Sequence, residues 1–137
     1  MIEPTIALQT AIRSRLLDDQ AVTALVQPDN IRAGSTRPDQ TPAIIMSDGT
    51  TALHGYDYTA QRAAWVNLDL HIWTLDQGLE AAKAIAFAVC QALDGQLDLD
   101  GAYCDHFEVT RAVYPRDPDP RYGHGVLSVE ALIRWIV

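Results

Sequence analysis

Trp65-Val66-Asn67-Leu68-Asp69-Leu70-His71-Ile72-Trp73-Thr74 is the stretch from which the fold can be read. Val66, Leu68, Leu70 and Ile72 alternate with Asn67, Asp69, His71 and Trp73, the period of two expected of a strand with one buried face. The opposite face mixes polar groups with two tryptophans, Trp65 and Trp73, which is more aromatic surface than an ordinary solvated face carries. Beyond it, Leu79, Ala82, Ala86, Val89 and Leu93 recur at three- and four-residue steps, with Ile85 and Cys90 on the flanks, so the pattern switches to that of an amphipathic helix. Asp76 is the expected cap of this helix, and Gly95 lies just past its end.

Upstream, Pro4 suits the first turn of a helix because its missing N–H is not needed there, and Glu3 sits beside the positive end of the dipole. Leu8, Ala11, Ile12 and Leu16 form its buried stripe, Arg13 and Arg15 lie off the centre, and the helix is expected to end near Leu17. Asp18 and Asp19 can cap a short second piece, Ala21 to Val26, which Pro28 stops. Asn30 to Pro42, containing Gly34, Ser35, Thr36, Arg37, Pro38 and Asp39, reads as an exposed loop. A short strand is expected over Ala43 to Met46, followed by a turn at Asp48-Gly49. Thr50 to Gln61 carries His54, Tyr56 and Tyr58 but little aliphatic content, as in an extended hairpin or arm.

Downstream, Tyr103 to Tyr114 is expected to be a strand with Phe107, Val109 and Val113 on one face, and Gly125 to Val137 another with Leu127, Val129, Ile133 and Trp135 on one face. Pro115 to His124 is too rich in proline to pair as a central strand and reads as a projecting loop. The order of elements predicts an α+β fold, a mainly antiparallel sheet with two main helices packed on one face, in a single domain over 1–137. The other sheet face is left for a partner.

Composition sets limits on function. With 137 residues and 48% hydrophobic content the chain can bury one core. It has no run of about 18 apolar residues and its start, Met1-Ile2-Glu3-Pro4, lacks the features of a signal peptide, so the expectation is a soluble, cytoplasmic protein without membrane contact. Two cysteines, Cys90 and Cys104, give no disulfide framework. The net charge of −8, from 18 acids against 10 bases, excludes tight binding to a nucleic-acid backbone through counterion release.

No catalytic constellation emerges. There is no Gly-x-Ser-x-Gly turn, Cys90 lies in an Ala-rich helical run, and Cys104 lacks an evident activating base. His71, Cys104, His106 and His124 are possible metal ligands, and simple alternation would place Cys104 and His106 on one strand face; no Cys-x-x-Cys or His-x-x-x-His pair supports a zinc site. Asp117 and Asp119 resemble the opening of a calcium loop, but Arg121 and Ser128 occupy later ligand positions. The glycines form no phosphate-binding loop, and Asp69, Asp105 and Glu108 are isolated acids on polar strand faces. The expectation is no enzyme activity, no cofactor and no metal.

Val66 to Trp73, the following turn and the helix Leu79 to Leu93, together with Asp117-Pro118-Asp119 and Tyr122-Gly123-His124-Gly125-Val126-Leu127 before a last strand, resemble the tail-completion or tail-terminator proteins of long-tailed phages. The version carried by bacterial gene transfer agents is the most similar, over nearly the whole chain; Pro120 departs from it, since many relatives have a glycine there. The resemblance implies a homo-hexameric ring that caps the tail tube, ends tail polymerisation and joins the tail to the head connector. Its partners would be other copies of itself, the major tail-tube protein and a head-connector stopper protein, with DNA passing through an acidic lumen without specific binding. The chain would be in the cytoplasm during assembly and at the head-tail joint of the particle afterwards.

Within that reading, the arm residues His54, Tyr56 and Tyr58 and the loop residues Arg116, Asp117, Asp119, Arg121, Tyr122 and His124 are candidates for contacts with neighbouring rings. Trp65 and Trp73 are candidates for the subunit interface. The rival readings are a stopper or adaptor of the same joint, or a small metal-dependent or ligand-binding domain using Cys104 and His106.

Overall fold

A computed structural model describes residues 3–34, 37–54, 61–75 and 78–136. The chain runs α1 (Pro4–Leu17), α2 (Gln20–Thr23), a 3₁₀ turn at Pro28–Asn30, β1 (Ile31–Ala33), β2 (Ala43–Met46), β3 (Thr50–His54), β4 (Gln61–Leu75), α3 (Glu80–Ala92), β5 (Tyr103–Val113) and β6 (Tyr122–Ile136). The strands form one sheet in the order β1-β2-β4-β6-β5, with β3 also paired to β4. Among the described residues only β1 and β2 run parallel. The fold is α+β, as the order of sequence patterns predicts.

Strands β4 and β6 pair from Gln61↔Ile136 to Leu75↔Tyr122 and form the spine of the sheet. Their alternation is strict: Val66, Leu68, Leu70 and Ile72 and, across from them, Leu127, Val129, Ala131 and Ile133 are buried. These side chains meet Leu8, Ile12 and Leu16 of α1 and Ala82, Ile85, Ala86 and Val89 of α3 in one cluster. Small residues on α3 let the helix lie close to the sheet, while the aliphatic strand residues supply the area removed from water.

The helix ends are tied by side chains. The Glu3 carboxylate accepts from the Ile6 N–H at 3.0 Å, and Asp19 accepts from Val22 N–H at 3.1 Å, starting α1 and α2. Arg15 of α1 donates to the carbonyls of Ala92, Asp94 and Gln96, placing a cation at the negative end of α3. The second helical piece begins at Gln20 and stops at Thr23, shorter than the Ala21 to Val26 expected. Asp76 lies outside the described residues; α3 starts at Glu80 with Leu79 at the cap position and no side-chain cap.

Other expectations fail for identifiable reasons. The connection from Asn30 to Pro42 is not wholly exposed: Ile31 is buried and opens β1, which adds to β2 in parallel, and Pro38 is buried as well. A three-residue strand carries too few side chains for periodicity to reveal it. In β5, Phe107 and Val109 pack against the core, but Val113 is exposed because the register shifts between Val109 and Arg111. Strand β6 begins at Tyr122 rather than Gly125, so Tyr122, Gly123 and His124 belong to the sheet.

Two glycines allow these close approaches. Gly49, in the turn expected at Asp48-Gly49, has φ +80°, and a Cβ there would lie 3.0 Å from the Asn67 carbonyl oxygen. Gly125 faces the Tyr114 ring, which a Cβ would meet at 3.2 Å. Among the described residues no helix is long and apolar enough to cross a membrane.

Candidate interface on the open face of the sheet

The face of β4 and β6 turned away from the helices carries Trp65, Asn67, Asp69, His71 and Trp73 on one strand and Tyr122, His124, Val126, Ser128, Glu130 and Leu132 on the other. These positions are half-buried except for exposed Asn67. The polar groups hold one another: Ser128 Oγ donates to Asp69 Oδ1 at 2.8 Å, and the Asp69 N–H donates to Ser47 Oγ at 2.9 Å. Asp69, one of the isolated acids considered for acid-base chemistry, is thus a structural acceptor between neighbouring segments.

One end of this face is covered by the chain itself. Arg37, from the connection before β2, reaches over the sheet and forms an ion pair with Asp117 at 2.6 Å. Both Asp117 oxygens accept from the same guanidinium nitrogen, and Oδ2 also accepts from the Asp119 N–H at 2.9 Å. The Asp117 side chain is only 5% exposed, so this is a desolvated carboxylate with a charged partner. The same guanidinium lies 4.6 Å from the Tyr122 ring centroid and 5.4 Å from that of Trp73.

Beneath Arg37 the aromatic groups stack. Trp73 and His124, directly opposite in register, lie with centroids 3.9 Å apart and planes 6° from parallel. His71 Nδ1 and His124 Nε2 are 2.9 Å apart, a hydrogen bond whose donor and acceptor are set by the tautomer of each ring. Burial pushes the pKa of His124 down, and the neighbouring His71 adds to the effect. A shallow cavity of about 260 Å³ opens beside the pair, lined by Gly34, Ile45, Ser47 and Asp48 as well as by Arg37, His71, Trp73 and His124.

The structure separates the candidate interface residues into four groups. Trp73, Asp117, Tyr122 and His124 converge on Arg37. Asp119 and Arg121 pair with each other at 2.7 Å in the exposed turn, where the Arg121 side chain and N–H bring the Asp119 pKa down to about 2; Arg116 is exposed nearby. His54 is exposed at the end of β3, while Tyr56 and Tyr58 of the arm lie outside the described residues. Trp65 sits at the other end of the open face, edge-on to His106 with centroids 5.6 Å apart. The loop expected to project from Pro115 to His124 is therefore pinned at Asp117 and merges into β6 at Tyr122.

The Cys104 and His106 pair does not form a site. The register shifts between them: Cys104 pairs with buried Ile133, whereas His106 pairs with Leu132 on the open face. An extra residue in the strand reverses the alternation, so side chains two apart point to opposite faces. The Cys104 thiol packs at the core and donates to the His106 carbonyl at 3.3 Å; burial pushes its pKa up, as it does for Cys90. Arg37 is the functional candidate that sequence reasoning missed; only its charge within a Pro- and Gly-rich connection distinguished it.

Over residues 10–134 the sequence matches the family described as Tail completion protein gp17. The chain belongs to that family. Its tail-completion fold is shared with a solved chain titled "Virion of native gene transfer agent (GTA) particle", with a TM-score of 0.80 and 24% identity; the match covers 93% of this chain and 95% of that one. A search of curated proteins finds no match.

Proposed function

We propose that this tail-completion protein is a structural component that assembles into a homo-hexameric ring on the end of the tail tube of a phage-like particle. The ring stops tail polymerisation and presents a docking surface to the head-connector stopper protein. The observation that carries the proposal is the family match across 10–134, which takes in both the sheet and the pinned loop. It assembles in the cytoplasm and remains in the particle, at the joint between head and tail.

Several features of the surface support a ring. A closed ring needs two different, complementary flanks on each copy. Here the two lateral edges of the sheet differ: β3, exposed at every position, lies on one side and the long edge strand β5 on the other. Leu53 on β3, Leu75 at the end of β4 and Ile136 at the end of β6 are more than half exposed, as hydrophobic anchors of an interface are before assembly. The arm bearing His54, Tyr56 and Tyr58 and the loop Arg116 to His124 are assigned to the neighbouring rings, and Trp65 with Trp73 to contacts between copies. The charge of −8 suits a lumen through which DNA slides without sticking.

Native mass spectrometry with negative-stain imaging tests the assignment. Rings of the free protein, or rings that form only on tail tubes, are expected, and particles lacking the protein should carry tails of uncontrolled length. A monomer that never associates with tube protein would defeat the proposal.

A further inference from the structure

We propose that His106, Glu108 and Glu130, at the Trp65 end of the open face, form a binding site for one divalent first-row transition cation of the zinc or manganese type. The potential ligand atoms of the three side chains all lie within 4.8 Å of one another. His106 Nε2 is 3.4 Å from Glu130 Oε1, is itself shielded from water, and makes no hydrogen bond of acceptable geometry. Its ring packs edge-on to Trp65, with centroids 5.6 Å apart.

The cluster is created by the backbone irregularity that dismantles the Cys104 and His106 pair. With regular alternation, Cys104, His106 and Glu108 would share the face of Ile133, under the helices. The register shift after Cys104 transfers His106 and Glu108 to the open face, where Glu108 stands directly opposite Glu130. Bulges that re-aim a side chain are a recurrent feature of binding sites. Two carboxylates directly opposite in a ladder repel each other unless a positive charge lies between them. Arg134, further along the same face of β6, is engaged with Asp105 at 2.9 Å, and Arg111 stands opposite Ser128, one step along the same face from the Glu108 and Glu130 pair. A divalent ion held by His106, Glu108 and Glu130 would offset the repulsion between the two carboxylates.

The ligand types select the class of ion. One imidazole with two carboxylates suits zinc or manganese, whereas calcium takes oxygen ligands alone. Tetrahedral bonds of about 2.1 Å place ligand atoms about 3.4 Å apart. The His106 and Glu130 atoms are already at that separation, and a carboxylate oxygen of exposed Glu108 lies within 4.8 Å of both. Three protein ligands leave further coordination positions for water.

The test is isothermal titration of the full chain, freed of metal by chelator, with zinc chloride alone and manganese chloride alone. One ion per chain is expected, with affinity reduced about 10-fold or more in both His106→Ala and Glu130→Gln. His124→Ala should bind as the wild type does, because it removes another potential ligand at the opposite end of the face. Circular dichroism confirms that each variant is folded, and the isosteric Glu108→Gln repeats the test with the least perturbation. Absence of binding by the wild type overturns the proposal, as does undiminished binding by folded His106→Ala and Glu130→Gln. Loss of binding in folded His124→Ala would also overturn it, by placing the ion elsewhere.

Discussion

Along β4 and β6 consecutive side chains enter two different environments. The inner row, Leu70, Ile72, Leu127 and Ile133 among them, is fully enclosed by helices and held by area and shape alone. The outer row, from Trp73 and His124 at one end to Trp65 and Glu130 at the other, is half-buried and held by directional contacts between residues distant in sequence. The inner row can change only by leaving a hole or a clash. The outer row can be rearranged by pH or by a partner, because its stability is distributed over ionic and aromatic contacts that water or another molecule can replace.

The largest effect should come from the inner row. Leu127→Ala empties a fully enclosed position and is expected to cost about 2–5 kcal/mol in urea unfolding. A loss comparable to that of a surface substitution would mean that the sheet and helices are not packed as described. On the outer row, Arg37→Ala leaves the enclosed Asp117 carboxylate without its cation. Because Arg37 itself is 39% exposed, the expected loss is smaller, about 1–3 kcal/mol. Adding Asp117→Asn should recover part of it, and a double-mutant cycle without coupling between Arg37 and Asp117 would break the contrast between the two ends of the face.

The smallest effect is one of pH, and its sign follows from His124. Its folded pKa lies below the ordinary 6.5, so the unfolded chain takes up the proton first and stability falls as pH drops through that value towards the folded pKa. The groups facing it are His71 on β4, Asp117, which opposes the shift, Arg37, which adds to it, and Asp48 across the cavity. Melting temperature measured between pH 8 and 5.5 should decline on the acid side, and less so in His124→Gln. An identical decline in the variant would assign the pH dependence to other groups.

The legible parts of the sequence are those in which one local period dominates. Leu79 to Leu93 and Trp65 to Thr74 gave unambiguous helix and strand patterns because each buries one face over many residues. The short β1 was hidden by its length, and the start of β6 by Gly123 and Gly125, which read as loop, although Gly125 lets Tyr114 pack closely against the strand. At the candidate interface, Trp65, Trp73, Asp117 and His124 were identifiable by residue type. Arg37 was not, since its link to Asp117 spans 80 residues and leaves no local trace.

By itself, then, the sequence determined the α+β class, the two amphipathic helices, the two-faced central strand and the resemblance to tail-completion proteins, because these depend on periodicity and order along the chain. Tertiary structure alone decided which side chains meet. It placed Arg37 over Trp73 and Tyr122, made the loop at Asp117 a pinned segment, and parted Cys104 from His106 by one extra residue in β5. The physical reason is that pairing register and bulges are set by the cooperative fit of whole strands, and a shift of one residue reverses every side chain beyond it.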